Sequence, residues 1–137
     1  MPNSAIEIHD SILDHISIAD SNAVLNFSKV YIHQSTGRPL IDAGSVWIQS
    51  AQLLIQDAVI DGSFSDLPRD LLDGYIRLSG SVLSNEIPIP LSHTGEVELR
   101  LQSWGELVTI IGIAAHLDLL GEREYVEEFQ PGRHNSS

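Results

Sequence analysis

Two histidines and two aspartates fall within seven positions of the segment Ile8-His9-Asp10-Ser11-Ile12-Leu13-Asp14-His15-Ile16. Imidazoles and carboxylates are the side chains that ligate metals and move protons near neutral pH. If the segment is extended, His9 and His15, six apart, share one face, and Asp10 and Asp14 share the other. One strand therefore cannot bring all four to a single ion. A metal-dependent enzyme would need a set such as His9, Asp10, His15 and His116, or help from His33 or His93. The plainer reading makes His9-Asp10-Ser11 an entry turn, with Asp10 or Ser11 bonding nearby backbone N–H groups.

His116 and Asp118 are two apart in an apolar stretch, so on a strand they share a face, as a general base and its orienting carboxylate would. An outward-facing polar pair on a half-wet sheet has the same spacing, and this is the favoured account. The chain has no Gly-x-Ser-x-Gly elbow and no His-Glu-x-x-His pair to support a triad or a zinc hydrolase. It also has a single lysine, Lys29, and no glycine-rich phosphate cradle. Trp47, Trp104, Tyr31 and Tyr75 could line a sugar-binding face, although most aromatics are needed for the core. Trp104, in a Ser103-Trp104-Gly105-Glu106 turn, is the exception and a candidate contact anchor. Near the end of the sequence Glu122, Glu124, Glu127 and Glu128 flank Tyr125, Val126 and Phe129. That segment could dock a basic partner, but large apolar side chains are more often buried, so the three are expected to seal the core.

These side chains must be held by a chain of 137 residues, enough for one domain with a substantial core. Seven basic against nineteen acidic residues leave a formal charge of −12, which repels phosphate backbones and anionic lipid. Nucleic acid and membranes are therefore poor partners. Without cysteine there is no disulfide, thiolate nucleophile or cysteine-bound metal. Residues 1–7 show neither a basic nor an apolar leader region, and Val108 to Leu120 falls short of the ~20 residues that span a bilayer. A cytoplasmic protein is expected.

Alternation of apolar and polar residues dominates and predicts strands. Ile12, Ile16 and Ile18 are expected on one face of the first, with Leu13, His15 and Ser17 on the other. In the second, the apolar face changes from Leu25 and Phe27 to Val30 and Ile32, which calls for a bulge or full burial. Val46 to Ile55 reads as one long curved strand, continued by Asp57 to Phe64 with a bulge or turn at Asp61-Gly62. One short helix is expected from Ser65 or Asp66 to Gly74, with Pro68 near its start and Leu67, Leu71 and Leu72 on its buried side. The prolines of Glu86-Ile87-Pro88-Ile89-Pro90-Leu91 confine that piece to an edge or connection. Glu96 to Ile111 is the clearest hairpin, with Val97, Leu99 and Leu101 inward, and Ala114 to Leu120 forms a last strand. The sum is an all-β fold: an antiparallel β-sandwich or partly open β-barrel of about eight strands with one short helix. Residues 1–129 form a single domain and 130–137 a disordered tail.

The His9-Asp10-Ser11-Ile12-Leu13 opening resembles that of small bacterial all-β proteins with a His-Asp-Ser-x-Leu signature, some of them immunity-like or accessory-like. The likeness covers about the first quarter of the sequence. Gly37-Arg38-Pro39, Leu72-Asp73-Gly74-Tyr75 and Leu120-Gly121-Glu122 are further landmarks. The resemblance implies bacterial origin and β architecture rather than a reaction. The expected function is non-enzymatic: a β-domain that binds a protein partner, or a second copy of itself as a homodimer, without a cofactor. The alternative is a small-molecule or carbohydrate binder using Trp47, Trp104 and Tyr75. The third is the metal-dependent enzyme.

Overall fold

The structure is a computed structural model that describes residues 2–131. Beyond Pro131 the tail expected over 130–137 lies outside the described residues. Among the described residues ten strands are present: β1 (Asn3–Ala19), β2 (Asn22–Ser35), β3 (Gly44–Gln56), β4 (Val59–Gly62), β5 (Arg69–Asp70), β6 (Asp73–Leu78), β7 (Ser81–Ser84), β8 (Glu86–Ile89), β9 (Ser92–Ser103) and β10 (Glu106–Phe129). All belong to one sheet in the order β5-β1-β2-β3-β10-β9-β6-β7, with β4 beside β10 and β8 beside β1. Every pairing is antiparallel, and the sheet curls into a half-barrel. The partly open barrel is thus the form adopted, with one sheet where a sandwich needs two.

The core fills the concave face. Antiparallel neighbours directly opposite each other share a face, so the register makes inward rows such as Leu13–Phe27–Ala51–Leu119 and Ile16–Leu25–Leu53–Leu117. Val97, Leu99, Leu101, Val108 and Ile110 continue this core on β9 and β10, as the hairpin alternation predicts. The second strand also behaves as expected, since its pairing with β3 slips between Phe27 and Val30. The extra residue turns the chain over, so Phe27 and Val30 are both buried.

Three expectations fail for physical reasons. The helix over 65–74 is replaced by irregular chain, β5 and the first two residues of β6. A helix so short is marginal by itself, whereas here Leu71 N–H donates to Ser11 O (2.9 Å), Leu72 N–H to Gln102 O (2.8 Å), and Leu71 O accepts from Asp10 N–H (2.8 Å). The segment bridges β1 to β9 and buries Leu71 completely. On β1 the expected faces do not hold along the strand: Leu13 is fully buried and Ile18 is 57% exposed, while Ile16 does pack against the core. The strand begins earlier than expected, with Ile6 and Ile8 in the core, and its register with β2 shifts repeatedly between Glu7 and His15. A shift of one residue moves every later side chain to the other face. In addition, the expected continuation of β3 through Asp57 to Phe64 breaks at Asp57, whose φ is 48°, and resumes only as the short β4.

β10 positions the site described below. At 24 residues and about 3.3 Å per residue it would extend about 80 Å if straight, so it must bend. It pairs with β9 over Glu106 to His116 and with β3 from Ala114 to Phe129. On the side away from β9 the neighbour changes from β4, paired up to Ile111, to β3, paired from Ala114, and between them lies Gly112, where a Cβ would stand 2.4 Å from Ile55 Cγ2 and 2.5 Å from Gln56 O. The last strand predicted at Ala114 to Leu120 is thus the middle of a longer one.

Candidate functional site

The His/Asp cluster is resolved by β1's bulge. Asp10 has φ 72°, and Ser11 Oγ donates to Glu7 O (2.7 Å) and accepts Tyr31 N–H (3.2 Å). Ser11 therefore bonds a carbonyl four residues back and an N–H across on β2, inside a strand, and not the local N–H groups of an entry turn. His9 Nδ1–H donates to Leu72 O (2.8 Å), and its Nε2 lies 3.4 Å from Asp10 Oδ1. The Leu72 carbonyl raises the His9 pKa, and the nearby Asp10 carboxylate adds to the effect. His15 stands in a cross-strand row with Asn26, Gln52 and Asp118. Three steps at ordinary strand spacing separate its ends by about 14 Å. His116 Nε2–H instead donates to Asp118 Oδ1 (3.0 Å), and both are exposed. Among the described residues no three His, Asp or Glu side chains are placed to hold a metal ion. The proposed set of His9, Asp10, His15 and His116 does not converge.

The proposed aromatic set does not converge either. Trp104 stands 72% exposed in the two-residue turn between β9 and β10. Tyr75, on β6, donates its hydroxyl to Glu98, which also pairs with Arg77, while the Arg100 guanidinium lies 5.4 Å from the Tyr75 ring. The Tyr75 bond is the main cause lowering the Glu98 pKa and raising its own. Trp47, on β3, is half-buried against the core, and its Nε1–H donates to Ser45 Oγ (2.8 Å).

Trp47 does have an aromatic neighbour that sequence reasoning placed elsewhere. Tyr125 was expected to seal the core with Val126 and Phe129, yet it is 53% exposed and meets Trp47 edge to face at 5.3 Å. Val126 is exposed as well, because the β10–β3 register slips between Tyr125 and Glu127 and leaves it bulged out. Only Phe129 turns inward, its ring 4.9 Å from His33. His33 is itself buried, with Nε2–H donating to Glu7 Oε1 (2.8 Å) and Nδ1 without a partner. No motif marks this pair; only the apolar neighbours of His33 hinted at burial.

The most open feature of the sheet is the far side of β10. Beyond Leu117, whose N–H donates to Leu91 O (3.0 Å), no described strand pairs with the side of β10 opposite β3. The free edge runs to Phe129 and carries Glu122, Glu124, Glu127 and Glu128 beside exposed Leu120, Tyr125 and Val126. β4 and β7, of four residues each, offer shorter edges. Next to this edge a groove of about 570 Å³ opens over Trp47 and Tyr125.

No family model, curated protein or solved structure matches this chain.

Proposed function

We propose that this is a non-enzymatic partner-binding β-domain, working in the bacterial cytoplasm, that takes up an extended segment of another protein along β10. The observation that carries the reading is the unpaired edge beyond Leu117. Unpaired strand edges accept further strands because their N–H and C=O groups have no partner in the sheet. Charge selects among candidates. Four glutamates on the edge and −12 overall favour a basic segment and speed its encounter. Pairing with a second copy would set glutamates against glutamates, which destabilises a ladder, so a different protein fits better than a homodimer. The likeness of the opening residues to immunity-like and accessory-like proteins agrees with a role exercised by binding.

Equilibrium binding of two short extended peptides tests this reading. A peptide of alternating Lys and Val is expected to bind, more weakly as salt rises, and its Glu/Val counterpart to bind negligibly. Equal binding of both, or of neither, would overturn it.

A further inference from the structure

The groove over Trp47 and Tyr125 is a second site, and its chemistry differs from that of the edge. Gln34, Ser45 and Glu128 form one cross-strand row, and Trp47 and Tyr125 the next. Arg123, two residues before Tyr125, lies 6.0 Å from the Trp47 ring. Each polar group is held by one internal bond and keeps capacity for another. Tyr125 Oη–H donates to Glu128 Oε2 (2.7 Å), leaving Oε1 to accept. Arg123 Nη1–H donates to Gln34 Oε1 (2.7 Å), leaving the Gln34 amide hydrogens to donate. Ser45 Oγ accepts from Trp47 and retains its own hydrogen.

Among the described residues Glu128 is the one charged side chain lining the groove, with Oε2 already taken by Tyr125, and Arg123 stands outside the lining, bonded to Gln34. An anion meets Glu128 and the surrounding negative field. A neutral ligand whose hydroxyls both donate and accept satisfies the free valences, and its C–H faces can lie on the half-exposed Tyr125 ring. The volume, about 570 Å³, is in the ordinary range for small ligands. From these features we infer that the groove formed by Trp47, Tyr125, Gln34, Ser45 and Glu128 binds a neutral pyranose sugar. The groove shares Tyr125 and Glu128 with β10, but it uses their side chains, whereas strand addition uses the backbone of the far side of that strand.

The chain has two tryptophans, so Trp104→Phe makes Trp47 the sole tryptophan reporter. In that background glucose, galactose and N-acetylglucosamine are titrated at millimolar concentrations while Trp47 emission is followed, with glycerol as control. A saturable change with at least one sugar, weakened about ten-fold or more by Tyr125→Ala and by Glu128→Gln, is expected. Circular dichroism checks that both variants keep the sheet. A linear drift shared with glycerol would overturn the inference, as would a saturable change that both variants leave intact.

Discussion

His33 shows at the scale of one residue how a polar side chain is retained inside a sheet. It is 5% exposed, and its one polar partner is the half-buried Glu7 carboxylate. His33→Ala removes a buried ring and strands that carboxylate, so a loss of about 2–3 kcal/mol is expected in urea unfolding. Glu7→Gln keeps an acceptor for the imidazole N–H and should cost about 1 kcal/mol. His9 is the residue whose charge should be visible in solution. Its bond to Leu72 O raises the folded-state pKa above the ordinary 6.5. A raised histidine contributes stability that is fully present below the unfolded value and is lost as pH climbs through the folded one. Unfolding midpoints should therefore decline across that window, and His9→Gln should flatten the decline. An unchanged profile in the variant would show that the Leu72 bond does not form in solution. The sequence could not distinguish these two histidines, because His9 stands next to the bulge of β1 between Glu7 and Ile12, while His33 pairs with Ala5 and Val46 and meets the Phe129 ring from far along the chain.

At the scale of the element, β10 shows where sequence reading succeeds and where it stops. The β9–β10 hairpin was legible because Val97, Leu99 and Leu101 alternate cleanly and a Gly sits in the turn. Ser65 to Gly74 was misread because its caps and leucine spacing are helical, while its backbone bonds are supplied by Ser11 and Gln102, far away in sequence. Tyr125 and Val126 were misplaced for a similar reason: a bulge, not the residue types, turns Val126 outward, and the core ends before it reaches Tyr125. Gly112, read only as an interruption, is where β10 exchanges β4 for β3 on one side while β9 stays paired on the other. Gly112→Ala sets a methyl against Ile55 and the Gln56 carbonyl, and the resulting overpacking should cost about 1–3 kcal/mol in thermal unfolding. An unaltered midpoint would mean that β3 gives way there freely. The bulges that follow Leu120 and Tyr125, together with the glutamates, are devices that keep an exposed edge from pairing indiscriminately.

For the whole molecule, the net charge and the curl of the sheet act together. A charge of −12 spread over 137 residues repels itself, so raising ionic strength from near zero to about 0.15 M should raise the thermal midpoint. The same screening should weaken capture of a basic segment, so salt is predicted to move stability and binding in opposite directions. The half-barrel covers the outer side of β1 with β8 at Ser4–Glu7 and with β5 at Ile12–Leu13, and it leaves the far side of the last half of β10 unpaired among the described residues. The all-β class and the acidic surface were readable from composition and alternation. The free edge was not, because it depends on which strands run out of neighbours. The measurement that bears most directly on partner binding is residue-resolved amide hydrogen exchange along β10, with and without the Lys/Val peptide. Free protein should exchange the outward amides beyond Leu117 much faster than those of Val108 to His116, and the peptide should slow that fast set alone. Uniformly slow exchange in the free protein, or protection by the peptide at another strand, would contradict strand addition at this edge.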